Sequence, residues 1–100
     1  MEIVKSRTFD RWLSALVDAR ARARIQVRID RLHTGNAGDS RPVGDGISEM
    51  RIDYGPGYRV YFLRRGARLI VLLCGGDKST QTKDIASAKA IAAEWKDHLK

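Results

Sequence analysis

Apolar and polar residues alternate through the second half of this chain and recur at helical spacing elsewhere. From Ile47 to Tyr54, Met50 and Ile52 fall on one side and Glu49, Arg51 and Asp53 on the other, the period-two pattern of a strand. After a Gly55-Pro56-Gly57 turn the pattern repeats from Gly57 to Arg64: Tyr58, Val60 and Phe62 point one way, Arg59 and Tyr61 the other. Arg65-Gly66 makes a second turn, and Arg68 to Cys74 is apolar on both faces, as expected of a central strand. Near the start, Glu2 to Lys5 is a short strand candidate. Thr8 then caps a helix whose core stripe is Phe9, Trp12, Leu13 and Leu16. Ala19 to Asp30 alternates strictly, like a strand, yet it predicts a helix. Ala and Arg are strong helix formers, the run exceeds usual strand length, and Ala21, Ile25, Ile29 and Leu32 form a helical stripe that Gly35 is placed to end. Thr34 to Gly46 reads as a loop. Thr80 or Thr82 opens a last helix with the stripe Ile85, Ala88, Ala92, Trp95 and Leu99. The order βααβββα predicts one α+β domain over residues 1–100, a small, mostly antiparallel sheet with helices packed on one face.

Composition adds charge to this picture. Nineteen Lys and Arg against twelve Asp and Glu give a formal charge of +7, which points to a polyanionic partner such as nucleic acid, an anionic membrane surface or an acidic protein. The longest apolar run is six residues, too short to span a membrane. The first dozen residues carry charges and no apolar block, so no signal peptide is expected. A lone Cys74 inside an apolar run builds no disulfide framework, and a reducing cytoplasm fits. His33 and His98 have no ligand at metal-binding spacing, and Gly75-Gly76 falls short of a nucleotide-cradling loop, so neither metal nor cofactor is expected.

Pairing through the Gly-Pro-Gly turn brings Arg51, Arg59 and Tyr61 onto one open sheet face. That face is a candidate platform for phosphates and bases, or else an ordinary solvated face. Arg20, Arg24, Arg28 and Arg31 lie on the outer face of the second helix. The order of elements, the Gly-Tyr-Arg-Val-Tyr-Phe strand after its turn, the apolar strand ending in Gly-Gly-Asp-Lys, and Thr80-Gln81-Thr82-Lys83-Asp84-Ile85 together resemble the RelE/ParE toxin superfamily, closest to its HigB-like branch. The resemblance implies a toxin of a type II toxin–antitoxin pair. Its partners would be a small DNA-binding antitoxin and either the ribosome with its messenger RNA or, in the ParE branch, DNA gyrase.

In the RNA-cleaving branches, basic residues match Arg51, Arg59 and Lys78 here. The tyrosine or histidine usual near the start of the C-terminal segment is replaced by Thr82, Lys83 and Asp84. Cleavage without metal uses the RNA 2′-hydroxyl as nucleophile. The protein must align the attack, neutralise the phosphorane and move two protons. Arg59 suits the scissile phosphate and Arg51 the same or a neighbouring one, unless an acidic neighbour such as Glu49 or Asp53 takes it. Lys78 is the candidate general acid. Lys83 either assists it, binds a distal phosphate or interacts with Asp84. Tyr61 is a candidate base-stacking residue, or a packed strand tyrosine. Three functions follow: a ribosome-dependent endoribonuclease, a gyrase inhibitor without an active site, or a non-catalytic relative that binds only RNA or an antitoxin.

Overall fold

The computed structural model describes the backbone of residues 1–98 and the side chains of residues 1–95. The elements run β1 (Glu2–Lys5), α1 (Arg7–Ala15), α2 (Ala19–His33), β2 (Ser40–Gly44), β3 (Ile47–Ile52), β4 (Tyr58–Arg65), β5 (Leu69–Gly76), a 3-10 turn (Lys78–Thr80) and α3 (Gln81–His98). The class is α+β. The five strands form one sheet in the order β1-β5-β4-β3-β2, with β1 parallel to β5 and the other pairs antiparallel.

The alternating segment does fold as a helix. It is capped by Asp18, whose carboxylate accepts from the amides of Arg20 and Ala21, and it buries Ala21, Ile25, Ile29 and Leu32. Burial of one stripe against the sheet outweighs the local alternation. The cap of α1 is Ser6 rather than Thr8: its hydroxyl accepts from Phe9 N at 3.0 Å and donates to Leu73 O at 2.6 Å. That second bond ties the helix start to β5, which no local pattern discloses.

Two expectations need correction. Part of the Thr34 to Gly46 loop is a strand, so the order is βααββββα. β2 lies at the sheet edge, where Pro42 loses no required hydrogen bond, and a register shift follows between Pro42 and Gly44. Its Ser-Arg-Pro-Val-Gly sequence has little strand preference of its own; pairing to β3 supplies the structure. The helices also cover both faces rather than one. α1 and α2 pack on Met50, Ile52, Val60, Phe62, Ile70 and Leu72, while α3 packs Ala88 and Ala92 on Ile47, Tyr61, Leu63, Val71 and Leu73. β4 and β5 carry large apolar side chains on both sides, and an open second face would leave half of them in water. Ile85 and Trp95 join this second core; Leu99 lies outside the described residues.

Gly75 and Gly76 let both layers close at one end of β5. A Cβ on Gly75 would lie 2.3 Å from the Trp12 ring, and one on Gly76 would lie 1.8 Å from the Asp84 carboxylate. Among the described residues no helix is long and apolar enough to cross a membrane.

Candidate anion-binding site

Strand register assembles the site. Arg51 on β3 is directly opposite Arg59 on β4, and Arg59 is opposite Gly76 at the end of β5. The chain then enters the 3-10 turn with Lys78. Gly57 joins the two sides: the position of its absent Cβ is 3.0 Å from Arg59 Nη1 and 3.6 Å from Lys78 Cβ. Arg51, Arg59 and Lys78 therefore gather at one end of the sheet, where α3 begins. Lys78 and Lys83 are exposed and line a shallow cavity of about 500 Å³ with Ser79, Thr80, Gln81 and Thr82. Neither lysine is in an ion pair among the described residues.

Like charges directly opposite across strands repel, so each arginine needs a counter-charge. For Arg51 it is Asp39, not Glu49 or Asp53: Nη2 donates to Asp39 Oδ1 at 2.7 Å and Nε to the same oxygen at 3.2 Å. The hydrogen bond and the carboxylate's charge raise the Arg51 pKa. For Arg59 it is Glu49, with Nε 3.9 Å from Oε2, beyond hydrogen-bond reach. Arg59 Nη1 donates to Gly57 O at 2.6 Å, and its side chain is only 12% exposed. Its Nε is buried without a hydrogen-bond partner among the described residues. Arg59 is thus a rim residue rather than a surface one.

Tyr61 overturns the stacking expectation. It does share the face of Arg51 and Arg59, but α3 covers that face and the ring is fully buried. Its hydroxyl donates to Glu49 Oε2 at 3.0 Å, and burial together with that carboxylate pushes its pKa far up. A sequestered ring cannot receive a base.

Glu49 is the residue that sequence reasoning missed. It is fully buried and accepts from Tyr61 on β4, from Gln81 Nε2 on α3 at 2.9 Å and from Arg41 Nε on β2 at 3.1 Å. Alternation placed it on the arginine face, but nothing local told that this face would be covered. Asp77 finishes the site by capping the 3-10 turn: Ser79 Oγ and N donate to its carboxylate and hold its pKa down. Asp84 accepts from Thr80 Oγ1 at 2.5 Å rather than pairing with Lys83.

On the opposite face of the sheet, Arg20, Arg24 and Arg31 are exposed on α2 around Val27, lining a groove of about 550 Å³ that reaches Ile52 and Asp53. Arg24 lies over the Tyr54 ring at 4.7 Å. Arg28 departs from the outer-face expectation, because its guanidinium donates to the carbonyls of Ala37, Asp39 and Arg51 and braces the start of β2.

The family model described as Phage derived protein Gp49-like (DUF891) matches residues 11–96, from α1 to α3 and through every site residue above. The chain belongs to this family. A protein of Haemophilus influenzae titled "Uncharacterized protein" is 55% identical over 94 residues, covering 94% of this chain and 95% of that one. Within this Gp49-like fold, the chemistry on offer is a short arc of cations backed by two carboxylates. It can hold and polarise a phosphate, with Lys83 exposed beside it.

Proposed function

We propose that this Gp49-like chain is the toxin of a type II toxin–antitoxin pair and cleaves messenger RNA on the ribosome, using the RNA 2′-hydroxyl as nucleophile. The observation that carries the reading is the cross-strand row Arg51–Arg59–Gly76 with Lys78 beside it. Three cations converge where a bent RNA backbone would meet them, and the resemblance to the RelE and HigB branches assigns those positions to phosphate contact.

In this mechanism Arg59 faces the scissile phosphate. Its rigid seat lowers the reorganisation needed when the phosphorane gathers negative charge. Arg51 exchanges Asp39 for a neighbouring phosphate, an easy exchange because that pair is solvent-exposed. Solvent water takes the 2′-hydroxyl proton as the 2′-oxygen attacks phosphorus, the P–O5′ bond breaks, and Lys78 or Lys83 protonates the departing 5′-oxygen. A 2′,3′-cyclic phosphate and a free 5′-hydroxyl remain. Incubating purified ribosomes, a defined message and the protein tests this directly. Discrete cuts carrying those ends are expected, and intact message at saturating protein would overturn the reading.

A second reading has its own support. Tyr61 is buried, and Thr82, Lys83 and Asp84 stand where the RNA-cleaving branches carry an aromatic or histidine. Both features suit a gyrase inhibitor that binds protein and needs no catalytic group. A supercoiling assay with DNA gyrase separates it from the nuclease.

A further inference from the structure

Arg41 stands in the stretch that read as a loop, and the fold brings it to the site. It is opposite Glu49 across β2 and β3, so it shares the face of Arg51 and Arg59. Arg51 is two residues along the same strand, which makes Arg41 its diagonal neighbour, about 7–8 Å away at such positions. Arg41 meets Glu49 through Nε alone, at 3.1 Å, and its side chain is 52% exposed. Its two terminal nitrogens have no hydrogen bond among the described residues.

This is an arginine anchored at its neck with its fork facing solvent. The anchor is unusually firm, since Glu49 is fully buried and is also held by Tyr61 on β4 and Gln81 on α3. A pre-oriented guanidinium loses less freedom on binding an oxyanion than a free surface arginine does.

We propose that Arg41 is a further RNA phosphate-binding residue, extending the cation arc by one backbone position, and that Glu49 is the positioning residue that aims it. The inference rests on the RNA reading above for its ligand, but it requires binding only, not cleavage.

The probe is a short single-stranded oligoribonucleotide with 2′-O-methyl groups, which cannot be cut, titrated over a range of salt. Arg41→Ala is expected to weaken binding several-fold and to lower the slope of log K against log salt by about 0.7, the value of one phosphate contact on a single strand. Arg68→Ala is the control, because it removes the same charge from the exposed turn at the opposite end of β5. It should leave the slope unchanged. Glu49→Gln raises the net charge by one, so long-range attraction alone predicts tighter binding; loss of the anchor predicts weaker binding. Arg41→Lys keeps the charge without the Nε anchor and should bind more weakly than wild type, which covers the case in which Glu49→Gln fails to fold. If Arg41→Ala matches Arg68→Ala, the inference is overturned while the nuclease reading stands. If wild type does not bind the probe at low salt, the inference falls, and message cleavage on ribosomes decides the nuclease reading separately. Binding without message cleavage on ribosomes would sink only the nuclease reading.

Discussion

Replacing Arg59 by alanine tests the site and its construction together. The side chain is mostly buried, so this is not a surface substitution worth a few tenths of a kcal/mol. Three contributions set the cost. The charge-assisted hydrogen bond to Gly57 O contributes about 1.5–3 kcal/mol. The attraction to Glu49 at 3.9 Å would be ~4 kcal/mol at an effective dielectric of 20, but desolvation of the pair cancels most of it. In the opposite direction, deletion relieves the unpartnered buried Nε, which offsets about 1–3 kcal/mol. Glu49 keeps Arg41, Tyr61 and Gln81, so its charge stays compensated. The terms largely offset one another, so the net expectation is a folded protein destabilised by ~1 kcal/mol, with a Tm lower by about 5 °C for a domain of this size. Cleavage of ribosome-bound message should fall at least ~100-fold, as for the loss of one transition-state donor. Arg59→Lys should regain part of the stability but little of the rate, since an ammonium cannot reproduce the guanidinium fork. Thermal unfolding and cleavage measured on the same preparations read both halves. A loss well above ~3 kcal/mol would mean that desolvation does not cancel the attraction to Glu49, and a folded variant that cuts normally would remove Arg59 from the site.

Four further outcomes are expected. Asp39→Ala frees the Arg51 guanidinium and should tighten oligoribonucleotide binding at low salt; unchanged affinity would mean that Arg51 does not meet phosphate. Gly75→Ala drives a methyl into the Trp12 ring and should cost about 1–3 kcal/mol or more in chemical denaturation, an effect absent only if α1 can shift away. Tyr61→Phe keeps the packing but strips a donor from buried Glu49, so a loss of about 1.5–3 kcal/mol is expected from denaturant midpoints. Burial and the nearby Asp84 push the Cys74 thiol up to about 12 from an ordinary 9.0, so its stabilising contribution is present below the ordinary value and is lost as pH rises through the raised one. The unfolding midpoint should therefore drop above about pH 9 and drop less in Cys74→Ala, and thiol reagents should label the native protein only at the rate of unfolding.

Most of the fold was legible because its elements carry strong periodic signals. The α2 stripe Ala21, Ile25, Ile29 and Leu32 is buried as the spacing implied, and the two faces of β4 are divided as alternation implied. What escaped is what only tertiary pairing decides. β2 has no strand signal because an edge strand needs only one partner, and Ser6 caps α1 through a bond to β5. The site was half legible. Arg51, Arg59 and Lys78 do converge, since register follows from the turn that joins β3 and β4. The fate of Tyr61 was not legible, because alternation tells which side of a strand a residue takes and not whether a helix lies over it.

Glu49 links these separate surprises. A carboxylate enters a core only when several donors meet it, and here they come from β2, β4 and α3. That requirement accounts for Tyr61 pointing inward with its hydroxyl satisfied and for Gln81 fixing the start of α3. It also gives β2 a side-chain tether, through Arg41, that its weak strand sequence lacks. The same charge keeps Arg59 at the rim, close enough to be attracted and too far to be hydrogen-bonded. Replacing Glu49 by leucine therefore should not behave as a simple core swap. It removes the one anion that the donors on three elements share, leaving Tyr61 and Gln81 unpaired and Arg59 beside apolar carbon. The expected loss is about 3–5 kcal/mol, the range for breaking a buried charged network by removing one member. Hydrogen exchange locates the damage: protection should fall first in β2 and the first turn of α3, while the α2 face keeps its own. Uniform loss across both faces would show that Glu49 supports the whole core and not the site alone.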